Sequence, residues 1–486
     1  MTISKASSNQ DLTRREAIVG ALAVTSGTVL SDSFGAETAS RKSTPRVGIV
    51  GAGFAGLACA YELSQAGYVV DLFEARNRLG GRVHSLDRFA PGRVVEFGAE
   101  LIGGNHPLWL KYATQFGIEL EPLEDDGEPT EVVMDGHRYS GEEARRLAED
   151  VDRGHDELAH DAATADWENP WNTANAEALD KQSLAQRINR LNTTERAKRA
   201  IVVEFLMDMA CSPDKMNYLT LMCVIKAHGV EKYWTDTEMY RARQGNQILG
   251  SCLAAGISGK IHLDLPVTRI EQGAEHCVLT VRDGRKFEYS DVVLTVPPSV
   301  WNRIDFVPGL PAGFAPQMGS ATKFLAVVDS DFWKPDGQSD LMTNTPLGMT
   351  WEGSGGGDAH ERLLVSFAGG TIADDLHGRP FAERENLLRD EFERLLPGYA
   401  ANHLKSEFVD WLDDPWTRGG YSFPLPGQFL AQSGILKEGL GKLHFAGEHS
   451  STGFVGFMEG GLHSGVSVAT KLAQRDGLAR SSTQHE

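Results

Sequence analysis

A strand, a glycine-rich turn, a helix and a second strand follow one another between residues 46 and 74. The strand patterns run from Arg46 to Val50 and from Tyr68 to Phe73, and helical apolar spacing runs from Phe54 to Gln65. The turn has the spacing GxGxxG, and its glycines are Gly51, Gly53 and Gly56. A βαβ unit with this turn is typical of a dinucleotide-binding fold, so we predict an α/β domain with a parallel sheet.

Each position of the turn has a physical task. The first glycine allows the tight turn, the second lets a pyrophosphate approach the backbone, and the third lets the helix pack on the strand. The N-terminus of the helix, with Ala55 in its first turn, then faces the phosphates. Glu74 ends the second strand, where a carboxylate binds the hydroxyls of a ribose. A bound dinucleotide is therefore predicted.

An arginine- and glycine-rich segment follows the ribose acid directly. It reads ARNRLGGR and contains Ala75, Arg76, Arg78, Gly80, Gly81 and Arg82. Guanidinium groups bind a diphosphate bidentately, and bare glycine backbone lets the diphosphate come close. The segment resembles the motif of flavoproteins with two dinucleotide-binding folds, in which FAD lies extended.

Composition excludes other classes of protein. Acidic residues number 67 against 47 basic ones, a formal charge of -20, which repels polyanions, so nucleic acid is not an expected partner. The five cysteines form no CxxC pair, and His106, His449 and His463 lack metal-ligand spacing. Neither a disulfide framework nor a metal site is predicted.

Residues 1–44 are predicted to be an export signal and linker. Arg14 and Arg15 precede an apolar run from Ala17 to Leu30 and a stretch of small residues. This order resembles a twin-arginine signal. We expect export to the periplasm or the cell exterior, with a mature chain that starts near Ala36. Because that route carries folded proteins, a tightly bound cofactor is expected.

Two further glycine motifs lie near the C-terminus. One is FAGE, from Phe445 to Glu448, and the other is GFMEGG, from Gly456 to Gly461. Together with the N-terminal motifs they resemble the flavin-containing amine oxidase family, which includes monoamine oxidases, polyamine oxidases and L-amino acid oxidases. The resemblance extends from Arg46 to about Leu472. It implies a two-dinucleotide-binding-domain flavoprotein, with a Rossmann-like FAD domain and an interleaved α+β substrate domain.

The resemblance also implies that the chain crosses between these domains several times. The FAD-binding domain is predicted at residues 45–120, 241–305 and 417–475, the substrate-binding domain at 121–240 and 306–416, and a tail at 476–486. Residues 121–240 are charged and helical in pattern, whereas 306–416 carry strand patterns such as KFLAVV. The segment from Gly353 to Asp358 (GSGGGD) is predicted to be a surface loop.

In such flavoproteins the last helix would point its N-terminus, and the backbone N–H of Met458, at the pyrimidine edge of the flavin. Glu448 would bind the polar chain of the cofactor, Val267 would meet the adenine, and the turn around Gly98 would lie beside the flavin ring. The residues predicted to contact FAD are Gly51, Gly53, Ala55, Gly56, Glu74, Ala75, Arg76, Gly81, Arg82, Gly98, Ala99, Glu100, Val267, Gly447, Glu448, Phe457 and Met458.

The residues predicted to be catalytic are Lys323, Tyr421, Phe457 and Trp416. Lys323 matches the lysine that the family places near flavin N5 through a water, and an unpartnered lysine in an apolar strand is costly to bury. Tyr421 and Phe457 match two facing aromatic walls that align a neutral amine, and Trp411 and Trp416 are expected to support them. Gly420 stands where monoamine oxidases carry the cysteine bonded to the flavin, so the FAD is predicted to be non-covalent.

The segment GAELIGGNHP bears on the substrate. Leu101 stands where L-amino acid oxidases of the snake-venom and fungal type have an arginine that binds the substrate carboxylate, which argues against the usual clamp. Arg241, Arg243 or Arg418 would then replace that arginine. Glu100 is predicted to recognise a distal cationic group. The predicted substrate contacts are Glu100, Leu101, Arg243, Tyr421 and Phe457.

Together these residues predict an FAD-dependent oxidase that removes hydride from the carbon bearing a neutral amine. The imine hydrolyses to a carbonyl product and ammonia, and oxygen becomes hydrogen peroxide. The charge of -20 and Glu100 favour a substrate with two nitrogens, either a basic L-amino acid of the arginine or lysine type or a di- or polyamine. The alternatives are a monoamine oxidase for aromatic amines, a flavin desaturase or isomerase, and a flavoprotein that keeps FAD only structurally. A quinone acceptor and a homodimer stay open.

Overall fold

Alternating strands and helices begin the described part of the chain. The computed structural model describes residues 44–90, 92–123, 130–334, 338–353 and 360–478. The strands within these ranges are β1 (Arg46–Val50), β2 (Val69–Phe73), β3 (Ser85–Leu86), β4 (Val95–Glu96), β5 (Leu120–Pro122), β6 (Glu131–Met134), β7 (His137–Tyr139), β8 (Tyr240–Ala242), β9 (Ile261–His262), β10 (Val267–Gln272), β11 (Cys277–Val281), β12 (Lys286–Tyr289), β13 (Asp291–Leu294), β14 (Asp305–Val307), β15 (Ala321–Val328), β16 (Leu341–Thr343), β17 (Met349–Glu352), β18 (Arg362–Gly369), β19 (His403–Asp410) and β20 (Leu443–Phe445).

Helices connect and cover these strands. Within the same ranges the α-helices are α1 (Phe54–Gln65), α2 (Pro107–Phe116), α3 (Gly141–Ala162), α4 (Ala176–Asp180), α5 (Leu184–Ile188), α6 (Glu195–Asp208), α7 (Tyr218–His228), α8 (Tyr233–Asp236), α9 (Gln247–Ala255), α10 (Gly370–His377), α11 (Phe381–Leu395), α12 (Tyr399–Asn402), α13 (Phe429–Glu438) and α14 (Met458–Arg475). Short 3-10 helices occupy Pro170–Asn172, Pro213–Lys215, Pro298–Arg303 and Glu448–Ser450.

β1 is the central strand of a five-stranded parallel sheet with the order β20-β13-β1-β2-β9. Val47 is paired with Val70 of β2 on one side and with Asp291 of β13 on the other. All of β1 except Arg46 is buried, as expected for an apolar strand in a parallel sheet that is covered on both faces. The predicted α/β dinucleotide-binding fold is confirmed.

α1 follows β1 with the bounds that the sequence predicts. It is apolar on most sides and packs against α14. A Cβ atom added to Gly465 of α14 would lie 2.3 Å from the backbone oxygen of Ala55, and one added to Gly56 would lie 2.0 Å from that of Gly51. Only glycine at these positions lets α14 lie against α1, and α1 against the turn.

A seven-stranded sheet, β19-β15-β18-β17-β16-β6-β7, forms the second large layer. Its neighbours are antiparallel except β16 and β6. β15 is entirely buried and lies between β18 and β19, with Lys323 opposite Phe367. The smaller sheets are β12-β11-β10-β14, β3-β4 and β5-β8.

The helical expectation for residues 121–240 is wrong at its beginning. β6 and β7 form a hairpin there, and the hairpin extends the seven-stranded sheet. The turn is Asp135-Gly136, and both residues have positive φ angles, 53° and 78°. Asp-Gly between apolar residues favours a tight hairpin because both residues tolerate this backbone conformation. The helical pattern holds from Gly141 onward.

Some predictions fall outside the described residues. They are the twin-arginine segment with the cleavage point near Ala36, the surface loop apart from Gly353, and the tail beyond Leu478. Within the described ranges, no helix combines the length and apolar character needed to cross a membrane.

Candidate active site

The glycine turn after β1 leaves bare backbone at the N-terminus of α1. Gly51 has φ +109°, and Gly53 precedes the helix without any side-chain cap. A Cβ atom added to Gly53 would meet only the Cα of Gly81, at 4.0 Å. A Cβ atom added to Gly81 would in turn lie 3.1 Å from the Cα of Gly53, so the two glycine backbones lie against each other. The uncapped helix end favours a negative charge there.

Glu74 closes one side of this turn. Its carboxylate accepts hydrogen bonds from the backbone N–H groups of Ala52 and Arg76, both at 2.8 Å. Arg76 also contacts Asp414 and donates to Thr417 at 2.7 Å. Ala75 and Arg76 line a polar cavity of about 580 Å³. The acid predicted to bind a ribose is thus held rigidly at the carboxyl end of β2, where the parallel sheet places ligands.

Half-buried Arg82 forms an ion pair with buried Glu448. The Arg82 Nη1 atom donates to Glu448 Oε1 at 2.7 Å and to the backbone oxygen of Gly420 at 2.8 Å. Glu448 also accepts from Ser422 Oγ at 2.7 Å and from the N–H of Gly456 at 2.9 Å. Burial alone would raise the pKa of Glu448, but Arg82 and the other donors outweigh it and lower that pKa. The Glu448 carboxylate therefore joins three segments of the protein, and does not stand free for a cofactor as the sequence suggested.

α14 begins at Met458 without a side-chain cap on its N-terminus. The acid in its first turn, Glu459, points away and accepts from the N–H groups of Leu108 and Trp109, both at 2.9 Å. Glu459 thus caps α2 and leaves the N-terminus of α14 open. This open positive helix end is where a flavin that gains negative charge would be stabilised.

Lys323 is buried in a network that the sequence did not predict. Its Nζ atom donates to the backbone oxygens of Glu96 at 2.9 Å and Gly98 at 3.3 Å, and to Glu100 Oε2 at 2.5 Å. The Lys323 and Glu100 side chains are only 4% and 5% exposed. All three N–H donors of the ammonium group have protein acceptors.

Glu100 is equally saturated. Its Oε1 atom accepts from Arg241 Nε at 2.9 Å and from Trp351 Nε1 at 3.1 Å. Burial alone would raise the pKa of Glu100, but the charges of Lys323 and Arg241 outweigh burial and hold that pKa below its ordinary value. A carboxylate with these partners cannot also bind a substrate cation, so we no longer assign Glu100 to the substrate.

Tyr421 lies against the segment that precedes α14. Its hydroxyl donates to the backbone oxygen of Asp208 at 2.7 Å, and its ring stacks parallel to Phe367 at 6.5 Å. A Cβ atom added to Gly456 would lie 3.2 Å from Tyr421 Cδ2, so the tyrosine lies against the residue that precedes Phe457. Both aromatic side chains are half-buried. The predicted aromatic pair is brought to one place, next to the N-terminus of α14.

Two histidines support Phe457. The ring of His228 lies 4.5 Å from it and the ring of His106 lies 5.5 Å from it. Burial lowers the pKa of His228 to about 4, so this histidine is neutral near pH 7. The sequence assigned His106 to ordinary polar contacts, and its Nδ1 atom accepts from the N–H of Gly103 at 2.8 Å.

Asp208 and Glu238 are two further acids near Tyr421. Asp208 is half-buried and Glu238 is exposed. Desolvation is the first cause of their raised pKa values. Both carboxylates also contribute to raising the pKa of Tyr421, for which burial is the largest cause.

Trp416 does not support the aromatic wall as expected. It lines the 580 Å³ cavity together with Arg76, Arg78 and Trp411, and the guanidinium group of Arg303 lies 5.3 Å from its ring centroid. This position is at the end of β2, so we place Trp416 at the ribose side of the cleft and not among the catalytic groups.

Arg243 also lies elsewhere. Its side chain is 58% exposed and pairs with Glu119 at 2.7 Å and Glu121 at 3.2 Å. These contacts hold it on the outer side of the small β5-β8 sheet, so we withdraw it from the substrate contacts. Arg418 is exposed, and Leu101 is half-buried next to Glu100.

The remaining predicted cofactor residues line the cleft or support it. Val267 is buried at the start of β10. A Cβ atom added to Gly98 would lie 1.9 Å from the backbone oxygen of Arg82, and the N–H of Ala99 donates to that same oxygen at 3.1 Å. The N–H of Gly447 donates to Ser464 Oγ at 2.8 Å. The turn around Gly98 therefore lies directly against the arginine segment.

Sequence reasoning missed Asp208, Glu238, Phe367, Trp351 and the pairing of Arg241 with Glu100. One signal was available for Asp208. Glu204 and Asp208 are four residues apart in an otherwise apolar helical stretch, so they share one face of α6. His155 binds Glu204 at 2.9 Å, whereas the Asp208 carboxylate has no hydrogen-bond partner in the part of the chain that the structure describes.

Comparison with known proteins identifies the relatives of this chain. Residues 54–473 match the family described as flavin containing amine oxidoreductase. A protein named probable flavin-containing monoamine oxidase A, from Dictyostelium discoideum, is 24% identical over 453 residues, which cover 88% of this chain and 97% of that protein. The L-amino acid dehydrogenase of Synechocystis sp. is 24% identical over 453 residues, with coverage of 87% and 94%. The solved structure of cyclohexylamine oxidase from Brevibacterium oxydans has a TM-score of 0.79 and 25% identity, and covers 89% of this chain and 100% of its own.

Proposed function

Because the chain belongs to the family of flavin-containing amine oxidoreductases, we propose that it catalyses the oxidative deamination of a small amine-bearing molecule. The observation that carries the proposal is the placement of Tyr421 against Gly456, the residue before Phe457, beside the open N-terminus of α14. Two aromatic surfaces at that place suit an apolar carbon chain and a neutral nitrogen, and they exclude bulk water.

FAD is the cofactor of this family, and the residues fit it. Gly53 and Gly81 offer bare backbone that a diphosphate can approach, Glu74 is held at the end of β2, and the helix ends of α1 and α14 are both uncapped. Bound FAD supplies a two-electron oxidant that takes hydride from the carbon bearing the amine. Gly420 offers no sulfur for a covalent bond.

The protein's own residues orient the substrate and control its charge. The hydroxyl of Tyr421 is tied to α6, so its ring is fixed while the substrate lies between it and Phe457. The amine reacts in its neutral form, because its nitrogen lone pair must form the C=N bond of the imine as hydride leaves the carbon. His228 lies beside Phe457 and is neutral near pH 7, so it adds no positive charge next to the amine. The resulting imine hydrolyses in water to a carbonyl product and ammonia.

Lys323 acts in this scheme as a fixed positive charge near the flavin ring. Its contacts with the backbone oxygens of Glu96 and Gly98 hold it beside the turn predicted to face that ring. A preorganised ammonium group stabilises negative charge that develops in its vicinity.

The finer proposal concerns substrate and acceptor. The substrate is a basic L-amino acid of the arginine or lysine type or a di- or polyamine, and oxygen is the acceptor and is released as hydrogen peroxide. The charge of -20 supports a cationic substrate. Monoamine oxidation is the competing possibility, and cyclohexylamine is the substrate in the name of one structural neighbour.

Anaerobic mixing with an amine panel tests the activity without assuming an acceptor. The purified holoenzyme is mixed with cadaverine, L-lysine, agmatine, L-arginine, benzylamine and n-pentylamine, and the loss of flavin absorbance is followed. At least one amine should bleach the flavin, and air should restore the colour with release of hydrogen peroxide. If a quinone restores the flavin colour and oxygen does not, the acceptor is a quinone. No bleaching with any amine would refute the proposed activity.

We also propose that the protein is exported by the twin-arginine route to the periplasm or the cell exterior. Arg14, Arg15 and the apolar run that follows support this proposal. A cofactor that is held by both α1 and α14 can bind only to the folded protein, and the twin-arginine route transports folded proteins.

A further inference from the structure

One buried carboxylate is shared by two cations, and each cation binds a different oxygen atom. Glu100 Oε2 accepts from Lys323 Nζ at 2.5 Å, and Glu100 Oε1 accepts from Arg241 Nε at 2.9 Å. The side chains of Glu100, Lys323 and Arg241 are 5%, 4% and 16% exposed. Burial alone would raise the pKa of Glu100, but the charges of Lys323 and Arg241 outweigh it, so the carboxylate is ionised at neutral pH. The three groups together carry one net positive charge.

Arg241 decides this net charge. Without its guanidinium group, Lys323 and Glu100 would form a neutral pair, and the fields of the two opposite charges would largely cancel at the next neighbour. With it, the negative charge of Glu100 is divided between two partners. The positive charge of the Lys323 ammonium group is then left in excess.

One strand of the seven-stranded sheet holds both Arg241 and Glu100 in place. Arg241 Nη2 donates to the backbone oxygen of Glu352 at 3.2 Å, and Trp351 Nε1 donates to Glu100 Oε1 at 3.1 Å. Trp351 and Glu352 are the last two residues of β17. The end of β17 therefore supports the cation and the carboxylate of this pair together.

The three charges adjoin two motifs that would meet a flavin. The turn that contains Glu100 lies against the arginine segment, because the N–H of Ala99 donates to the backbone oxygen of Arg82 at 3.1 Å. Asn246 donates to the backbone oxygen of Glu100 at 2.7 Å and lies 3.9 Å from the sulfur atom of Met458, the first residue of α14. The excess positive charge is thus tied to the open N-terminus of α14, where negative charge on a flavin would be stabilised.

One other acid lies close to Lys323. Glu96 is buried, and its carboxylate accepts from Ser85 Oγ at 2.8 Å and from the N–H of Asn246 at 2.7 Å. Burial raises the pKa of Glu96 to about 7, so it carries only part of a charge near neutral pH. This partial charge does not cancel the excess that Arg241 leaves on Lys323.

We propose that Arg241 is a positioning residue for the flavin reaction, which pairs with Glu100 and so keeps the positive charge of Lys323 uncompensated beside the flavin. The inference rests on the proposed function, since it takes Lys323 to lie near the flavin ring. It gives Arg241 a role other than binding a substrate carboxylate, which the sequence left open.

The two-electron reduction potential of bound FAD measures this charge without an amine substrate. Positive charge beside the ring stabilises the negative charge of the reduced flavin and raises the potential. Arg241→Met should lower the potential by about 30 mV, which is a tenfold change in the equilibrium between oxidised and reduced flavin. Lys323→Met should lower it by a similar amount. Arg241→Lys keeps the charge and should stay within about 10 mV of wild type, or about twofold. Potentials are measured by reductive titration of the holoenzyme with a reference dye.

Two further variants separate the charge from disturbed packing. Glu100→Gln removes the negative charge and should raise the potential, which is the opposite of the effect of Arg241→Met. In the Lys323→Met background, Arg241→Met should add less than about 10 mV. The remaining pair of Glu100 and Arg241 is already neutral there, and Glu100 left alone in a buried site takes up a proton.

Kinetics give a second readout. Arg241→Met should slow the same flavin half-reaction as Lys323→Met, by about tenfold. Reduction is followed anaerobically with cadaverine and with L-lysine, and reoxidation is followed after reduction with dithionite. Arg243→Met is the matched control, because Arg243 directly follows β8, is 58% exposed and pairs with Glu119 at 2.7 Å. It removes the same charge and should leave the potential and both half-reactions at their wild-type values. FAD content per protein is measured for every variant, so that a loss of fold is recognised.

The outcomes separate the two levels of the proposal. If Arg241→Met leaves the potential and both half-reactions at wild-type values, or if Arg241→Met and Glu100→Gln shift the potential in the same direction, the inference is overturned. It is also overturned if Arg241→Met slows reduction by L-lysine but not by cadaverine, because Arg241 would then bind the substrate carboxylate. If Arg241→Met does not retain FAD, the rise expected for Glu100→Gln decides, and no rise overturns the inference. All these results leave the amine oxidase activity standing, whereas a wild-type flavin that no amine bleaches refutes that activity.

Discussion

Replacing Lys323 with methionine should destabilise the folded protein by about 3 kcal/mol. Removal of one partner of a buried ion pair typically costs about 3 to 5 kcal/mol because the other charge stays buried. The lower end applies here, since Glu100 would keep Arg241 at 2.9 Å and Trp351 at 3.1 Å. Glu100→Gln should cost a similar amount, because Lys323 would keep only two backbone oxygens.

The double variant separates pairing from burial. Lys323→Met with Glu100→Gln removes both charges, so its loss should be smaller than the sum of the single losses by about 2 kcal/mol. Free energies of unfolding are compared from the denaturant midpoints of the holoenzyme, followed by circular dichroism. Lys405→Met is the control, because Lys405 is exposed on the adjoining strand β19. It should change stability by less than about 0.5 kcal/mol.

The same variant has a kinetic consequence. Lys323→Met should keep FAD, since the glycine turn after β1 and Glu74 make no hydrogen bond with Lys323 or Glu100, but one flavin half-reaction should slow about 100-fold. Stopped-flow bleaching and recolouring assign the loss to reduction or reoxidation. Additive losses of stability in the double variant, together with unaltered rates in both half-reactions, would refute the reasoning, and Lys323 would then be an ordinary structural residue.

Three further predictions concern other parts of the molecule. Burial raises the pKa of Glu459 to about 7, against the backbone N–H groups that lower it. The folded protein therefore keeps a proton on Glu459 at pH values where the unfolded chain has lost it. The free energy of unfolding is highest below pH 4.5 and falls as the pH rises through 7. Glu459→Gln should reduce the difference in unfolding free energy between pH 5 and pH 8 by up to about 3 kcal/mol, and parallel pH curves for variant and wild type would contradict this. Acid precipitation should release FAD into the supernatant, and a yellow pellet would count against non-covalent binding. Gly420→Cys should lower the melting temperature, because a Cβ atom there would lie 2.6 Å from the Cβ of Ala321. The same variant should not trap flavin in the pellet. Arg14→Lys with Arg15→Lys should leave a folded yellow enzyme in the cytoplasm, as measured by cell fractionation, and unchanged export would overturn the proposed localisation.

The sequence predicts the local part of the cofactor cleft well. The bounds of β1 and α1 are those expected, because apolar periodicity and glycine spacing act over a few residues. Glu74 and the glycine turn follow from the same short-range rules. These features can be predicted without knowing which distant residues contact them in the folded protein.

The partners of buried charges could not be predicted in this way. Lys323 and Glu100 are 223 residues apart, so nothing in their local sequences indicates that each satisfies the other. The local sequence therefore favours a substrate role for Glu100, although Lys323, Arg241 and Trp351 already bind its carboxylate. The same limit applies to Trp416, whose position depends on how its loop returns to the end of β2.

The contact between α1 and α14 also sets a time order for the making of this enzyme. α1 leaves the ribosome early, but the helix that completes its surroundings, α14, follows it much later in the chain. Until that last helix is synthesised, Ala55 and its neighbours lack the glycine surface of Gly465 against which they are buried. Nascent chains therefore expose this unfinished surface until α14 has emerged from the ribosome, and the surroundings of α1 are complete only after that.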